Sequence, residues 1–586
     1  MKRPNAMATL LAFLFVVLLV PRLAAAEARN LTRQVAHEIV EFDYSDIPPE
    51  VVAKAERLIR DSLACAVGAH SSETMHKLEA IIEPSSGDCL ILHSGKKGKL
   101  LEAVFLNSQA ANMLDFDDAH TNLGHPGATI VPPALAIAQK HGKSREELVE
   151  AVVAGYEFNL RWARAVFDYE GKMAGPWSVA LLQAYGSYVT AAKLLDLNET
   201  QIARGFYFAA AGMPLPVAMK TGIMPGQTMN GLKNYYGQVS HSMVQAALFA
   251  KADIYSDTTV LDGDQGLWRM MGAKKFHQDR VLANLGKDWL IMEMQLKPYS
   301  ACRWNHAAID ALYELAPKFN PADVKQIDVH TFQSAVNACS KTDPNDTFEL
   351  SFSIPHCFGM LLKDQSLVLL DEKSVRDKDV LALSRLVKIH SDDKMEALFA
   401  KGKLPARVVV TLKSGEKLEK EVITMKGEPP NLMSADEHAA KLKALIDSSP
   451  HAIVKAYARR FTSGDTSRGA SSDSPQMRYF LFSAKPSAEA WRFMKDNPGD
   501  RRAATEGAMR KVGCKMIGYY WGLTNGRNYI IAAVPDGKTV QAMLVQRLST
   551  DLVDQYEAIE LVPSSEMPAM FARLKELEAA DDSLSK

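Results

Sequence analysis

The sequence predicts a mainly α chain with α+β portions, and three observations carry that prediction. From Asn30 to about Met271, apolar residues recur at three- and four-residue spacing, the period of helices packed on one face or buried all round. Between about Ala273 and Glu428 the period shortens toward the alternation of strands, with helices interspersed, and helical spacing then returns. Residues 461–476, FTSGDTSRGASSDSPQ, hold almost nothing to bury and read as a flexible linker, beyond which strands and helices alternate again. With 586 residues, 47% hydrophobic and 23% charged, the chain can bury large cores, and at about 150 residues per domain it holds three to four domains.

Taken in order, Asp43-Tyr-Ser-Asp-Ile-Pro-Pro is a helix stop and restart, and Glu50–Gly68 is the first long helix after it. Leu100–Asp115, Ala128–His141, Arg145–Phe167, Trp177–Leu195, Glu199–Ala211 and Ser240–Ala252 read likewise, several of them Ala-rich. Strands are expected at Trp289–Leu296, Val324–Thr331, Arg407–Leu412 and Lys417–Thr424, the last two joined by Lys413-Ser-Gly-Glu as a hairpin. Helices at Asn305–Leu315, Phe358–Leu362 and Val375–Leu386 interrupt them, and Ser434–Asp447 and Pro450–Arg459 return to helix. After the linker come a strand at Met477–Ser483, helices Ala488–Lys495 and Arg501–Val512, and strands Cys514–Gly522 and Asn528–Val534. Helix Thr539–Thr550, strand Tyr556–Leu561 and helix Ser565–Leu577 complete a βαββαβ order, the ferredoxin-like plan. The expected division is 1–26 as a leader, 27–272 with 430–460 as a helical domain, 273–429 as an α+β domain, 461–476 as the linker and 477–580 as the small terminal domain.

Lys2 and Arg3 precede an apolar run from Met7 to Val20, then Pro21 and Ala24-Ala25-Ala26. That order matches a secretory signal peptide cleaved after Ala26, and the run is shorter than the roughly 20 residues that span a bilayer. A periplasmic or secreted protein free of the membrane after cleavage is expected. Lys+Arg (68) and Asp+Glu (69) nearly cancel, so no global field recruits nucleic acid. Six scattered cysteines, with no C-x-x-C, exclude a disulfide scaffold and a zinc site.

Four constellations could carry chemistry. Asp115-Phe-Asp117-Asp118-Ala-His120-Thr-Asn-Leu-Gly-His125-Pro126 is a polar turn between two helices, where three carboxylates and two imidazoles repel unless protons, cations or a metal share the site. A capping turn of solvated acids and a metal centre both stay open here, although no H-x-x-x-H or H-E-x-x-H pair favours the metal. In Lys297-Pro-Tyr-Ser-Ala-Cys302-Arg303-Trp-Asn-His306, a strand end meets a helix start, a setting that favours anions. Lys233-Asn-Tyr-Tyr-Gly237 and Ser351-Phe-Ser353-Ile-Pro-His356-Cys357 are the other two. Singly, each is more often structural than functional.

Together the motifs resemble the MmgE/PrpD family, which includes 2-methylcitrate dehydratases, cis-aconitate decarboxylases and iminodisuccinate epimerases. The resemblance runs from about Leu31 to Ala456 through IPPEVVAKAERLIRDSLACAVGA, NSQAANMLDFDDAHTNLGHPGATIVPPALAIA, LKPYSACRWNHAAIDAL and SFSIPHCFGMLL. It implies a large all-helical domain with a smaller α+β lid. It also places Asp115 and His125 on the family's active-site Asp and His, and Lys233 and Lys297 on its substrate-side lysines. Cys302 stands where the decarboxylases carry His, and His306 matches the common histidine four residues on. Three departures stand out: Ala119 replaces the decarboxylases' Thr, His356 replaces the usual Tyr, and Gly175-Pro176 stands where many members have His-Pro. An imidazole from His356 is the expected substitute. The tail, NPGDRRAATEGAMRKVGCKMIGYYWGLTNGRNYIIAAVPD, resembles a GYD-type domain, departs from its signature at Gly526-Arg527-Asn528, and implies an interaction module and a homodimer.

Eliminating water from a β-hydroxy polycarboxylate needs a base, an acid and cations on the carboxylates. Asp115, His125, Lys233, Lys297 and His356 are the candidate catalytic residues, with Asp118, Cys302, Arg303 and His306 binding the substrate. No G-x-G-x-x-G, Walker A or G-x-S-x-G occurs, consistent with a lyase that needs no cofactor or metal and acts on a small di- or tricarboxylic acid. Proton-transfer isomerisation beside a carboxylate, and a non-catalytic carboxylate-binding protein, are the alternatives.

Overall fold

The structure, a computed structural model, describes residues 30–120, 123–166, 179–213, 231–232, 234–370, 372–462, 478–497, 499, 502–511, 514–522, 524–534, 537–549 and 552–561. The leader, Lys233, Gly175-Pro176, residues 463–476 of the linker and helix Ser565–Leu577 therefore lie outside the described residues, while Phe461 and Thr462, expected in the linker, end helix Ala452–Thr462. The chain divides into two compact units, 1–471 and 472–586. It is mainly helical with added sheets.

In the first unit, helices Leu31–Glu41, Pro49–Gly68, Leu100–Met113, Gly127–His141, Arg145–Val166, Val179–Leu194, Glu199–Ala211 and Tyr236–Lys251 share one apolar core. Helix starts follow local chemistry. The Asn30 side chain accepts from the Arg33 N–H, and Pro49 opens the second helix, where a missing N–H costs nothing. Leu442, Leu445, Val454 and Tyr457, from helices Ala435–Ser448 and Ala452–Thr462 near the end of the unit, join this core. Their approach requires Gly68, where a Cβ would lie 2.5 Å from Leu445 Cδ2.

A second core, from Ala301 to Met425, forms around a four-stranded sheet. Its order is Val387–Ser391, Val324–Thr331, Ala406–Leu412, Lys417–Val422, the first pair parallel and the others antiparallel. Strict burial alternation along Ala406–Leu412 puts one face on that core. The strand expected at Trp289–Leu296 is absent. Leu290–Glu293 is a 3₁₀ turn, because the buried Glu157 carboxylate accepts the Ile291 N–H at 2.8 Å and replaces a strand partner. Strand Val387–Ser391 and helix Gln333–Cys339 are additions to the expected elements.

The second unit has strands Arg478–Pro486, Lys515–Gly522, Arg527–Val534 and Val553–Leu561 in one antiparallel sheet, ordered fourth, first, third, second. Helices Ala488–Asp496, Arg502–Lys511 and Gly537–Leu548 connect them, and Phe480, Phe482, Met509, Met516, Ile530 and Met543 form its core. Among the described residues, no helix is long and apolar enough to cross a membrane. All six cysteines are buried free thiols.

Candidate active site

Helix Leu100–Met113 is buried on nearly every side from Ala103 onward and ends where the chain must turn inside the protein. Asp115 makes that turn at φ +48°, a left-handed conformation that Asp tolerates better than most residues. Its carboxylate is buried, and the equally buried Lys297 ammonium donates to Oδ1 at 2.6 Å and also to the Asp115 carbonyl. Two residues on, both oxygens of Asp117 accept from the Asn112 amide, at 2.9 and 3.0 Å, and Asn234 in turn donates to Asn112 Oδ1.

The loop then pairs Ala119 with Gln295 through two backbone hydrogen bonds of 2.8 Å and returns through Gly124 to His125. His125 Nδ1 lies 3.0 Å from the Asp118 carbonyl. A carbonyl only accepts, so Nδ1 carries a proton, and Nε2 is an acceptor whenever the ring is neutral. That nitrogen faces Asp115 Oδ1 at 3.8 Å, while Asp117 Oδ1 lies 3.7 Å from Nδ1. The Asp118 carboxylate faces away from this cluster. It accepts from the Gly127 N–H at 3.1 Å and from the Tyr156 hydroxyl at 2.7 Å. Burial, and next the Asp117 carboxylate, push its pKa up to about 8. Both Asp118 oxygens thus help to hold the loop.

Lys297 begins the segment that closes the other side. Ser300 Oγ donates to the Leu114 carbonyl at 2.6 Å, locking this segment to the end of helix Leu100–Met113. Arg303 is buried, and the Glu428 and Asp310 carboxylates act on its charge from beyond ion-pair distance. Its Nη1 donates to the Lys426 carbonyl and His306 Nδ1, its Nη2 to Gln295 Oε1 at 2.7 Å, and its Nε has no partner among the described residues. Burial lowers the guanidinium pKa to about 10, so the group stays charged. His306 Nε2 donates to the Ala301 carbonyl, and burial with Arg303 and Lys297 holds its pKa well below the usual range. Both its ring nitrogens are engaged, so His306 steers Arg303 and offers a substrate nothing directly. Cys302 lies against Cys339 with Cys357 beside it, its own N–H donating to the Ser351 carbonyl.

His356 is not brought to the cluster. Its Nε2 meets the Ser374 carbonyl at 2.9 Å, its charged neighbours are Asp343 and Asp377, and none of its described contacts involves Asp115, His125 or Lys297. No described contact thus supports the substitute imidazole expected from sequence. Residues that the sequence did not single out include Asn112, Tyr156, Ser300 and the buried Lys441. Only Asn112 carried a signal, as the last polar residue of its helix before the acidic turn.

Asp115, Asp117 and His125 each offer one ligand atom within 4.8 Å of the others. The Lys297 ammonium lies 2.6 Å from Asp115 Oδ1, so a divalent cation there would meet another cation beside it. The cluster brings together the groups that proton transfer uses: an imidazole, a carboxylate and an ammonium, with His125 Nε2 3.8 Å from Asp115 Oδ1.

Residues 33–279 match the MmgE/PrpD N-terminal domain and residues 299–456 match the MmgE/PrpD C-terminal domain. Among similar proteins are a cis-aconitate decarboxylase of Aspergillus terreus, 23% identical over 366 residues, covering 58% of this chain and 73% of the relative. A cis-aconitate decarboxylase-like protein of Aspergillus oryzae is 24% identical over 315 residues, covering 49% of this chain and 61% of the relative. The human cis-aconitate decarboxylase is 23% identical over 296 residues, covering 48% and 59%.

Proposed function

The chain belongs to the MmgE/PrpD family, and from that premise we propose that it is a lyase that eliminates water from a small hydroxylated di- or tricarboxylic acid. One observation carries this: a buried Lys297–Asp115 pair facing His125 Nε2, with the buried Arg303 cation held beside His306 and no described carboxylate within ion-pair distance of it. A substrate carboxylate is the anion that would complete such a charge set.

In this scheme the neutral His125 Nε2 takes the proton from the carbon next to a carboxylate. The electron pair forms the carbon–carbon double bond, the carbon–oxygen bond breaks, and the departing hydroxyl leaves as water with a proton from the Asp115–Lys297 pair. Transfer from His125 back to Asp115, 3.8 Å away, restores both groups. Lys297 and Arg303 hold the carboxylates and the enolate-like charge that develops. Lys233, outside the described residues, is a further candidate clamp. The scheme calls on no cofactor, and the leader-like residues 1–26 support export.

Decarboxylation is the second reading, favoured by the names of the relatives. Ala119 speaks against decarboxylation, since the resemblance puts Thr there in decarboxylases, and Gly175-Pro176, where many members have His-Pro, speaks for the binding protein. Incubating the protein with methylcitrate, citrate and cis-aconitate, followed by alkene absorbance, NMR and carbon dioxide release, separates the two. Alkene formation with loss of water from a hydroxy acid is expected. Carbon dioxide from cis-aconitate without any dehydration replaces the first reading with the second, and binding without turnover leaves a binding protein.

A further inference from the structure

The Asp115–Lys297 pair is made by two chain segments 182 residues apart, and a third segment touches both. Lys441 lies on helix Ala435–Ser448, which packs on helix Pro49–Gly68 through the close approach at Gly68. Its buried ammonium donates to the Phe116 carbonyl at 2.7 Å and to the Lys297 carbonyl at 3.2 Å, and sits 3.9 Å above the Phe116 ring. These carbonyls belong to the residue after Asp115 and to Lys297 itself. The ammonium charge is balanced away from the site by Asp61, whose Oδ1 lies 2.7 Å away and also accepts from His438 Nε2 at 3.1 Å. Burial pushes the Asp61 carboxyl up, but Lys441 and His438 outweigh it and keep the group ionised. His438 Nδ1 in turn accepts from Arg57 Nε at 3.3 Å, which extends the relay to helix Pro49–Gly68.

We propose that Lys441 is a positioning residue: one ammonium shared by two backbone carbonyls sets the separation at which Asp115 and Lys297 meet. This rests on the catalytic reading for its consequence in rate, though not for its geometry. An ammonium with three donors suits the task, because it can span two carbonyls and a carboxylate at once.

Lys441→Met alone strands the buried Asp61 charge and can fail to fold. The decisive protein is therefore the double variant Asp61→Asn/Lys441→Met, which removes both charges and keeps an acceptor for His438. Two readouts apply to the full chain. On the acid that the wild type turns over, kcat is expected to fall about 100-fold with KM nearly unchanged, the usual cost of misplacing a catalytic group by about 1 Å. In a crystal structure of the variant, the Lys297 Nζ to Asp115 Oδ1 distance is expected to lengthen well beyond 2.6 Å. A double variant with wild-type kcat, or with that pair unmoved, overturns the proposal. If the wild type turns over none of the acids, the lyase reading fails on its own and the distance alone decides the role of Lys441.

Discussion

Replacing Gly127 with alanine tests the packing that presents His125. A Cβ built on Gly127 lies 2.1 Å from Asp118 Oδ1, 2.8 Å from Asp118 Cγ and 2.7 Å from the Tyr156 hydroxyl. None of these can stay, because both side chains are buried and carbon–oxygen contact needs more than 3 Å. Displacing the carboxyl breaks the 3.1 Å bond from the Gly127 N–H and the 2.7 Å bond from Tyr156, leaving their groups unpaired in the interior. At about 1–3 kcal/mol for each buried group left unsatisfied, the cost comes to about 4 kcal/mol. The better helix propensity of alanine returns less than about 1 kcal/mol of it. Urea denaturation reads the loss as a fall in midpoint at unchanged slope. Tyr156→Phe removes one of the two bonds without a clash and is expected to lose about 1–3 kcal/mol. Turnover should fall in Gly127→Ala as well, since the Asp118 carbonyl that orients His125 moves with the loop. A Gly127→Ala protein within about 0.5 kcal/mol of wild type refutes the close packing of this turn.

Two further outcomes follow from the same geometry. Asp118, raised from 3.8 to about 8, keeps its proton in the folded state across a range where the unfolded chain has lost it. Its contribution is therefore full below pH 3.8 and is lost as pH rises through about 8. The melting temperature of wild type relative to Asp118→Asn should fall between pH 5 and pH 8, and a flat difference by calorimetry contradicts the raised value. Arg303→Lys keeps the charge but loses the fork that reaches Gln295, Lys426 and His306 at once. Steady-state kinetics should show KM rising about tenfold or more with a smaller change in kcat, and an unchanged KM removes Arg303 from the carboxylate site.

Much of the site was legible because its residues cluster in sequence. Asp115, Asp117, Asp118 and His125 fall within one turn between helices, and Lys297, Arg303 and His306 within ten residues of a second segment. What sequence could not give is direction. Asp118 looks equivalent to its neighbours in the string, yet its carboxyl points to Gly127 and Tyr156. His306 lies four residues from Cys302, yet both of its nitrogens are spent on Arg303 and Ala301. Tertiary capture explains the misread strand near Trp289. Arg161, ion-paired with Glu157, binds the carbonyls of Ala283, Asn284 and Asp288, and the two side chains satisfy a backbone that a sheet would otherwise have to pair. Lys441 was invisible for the plainest reason, since 325 residues separate it from Phe116.

The most direct test of the account is the kcat of His125→Ala on whichever acid the wild type turns over. The side chain is 15% exposed and bonds the Asp118 carbonyl, so the melting temperature of the variant is read alongside its rate. Loss of the base is expected to lower kcat by about 10²–10⁴-fold. A folded His125→Ala protein that turns over at the wild-type rate contradicts the assignment of this cluster as the catalytic site.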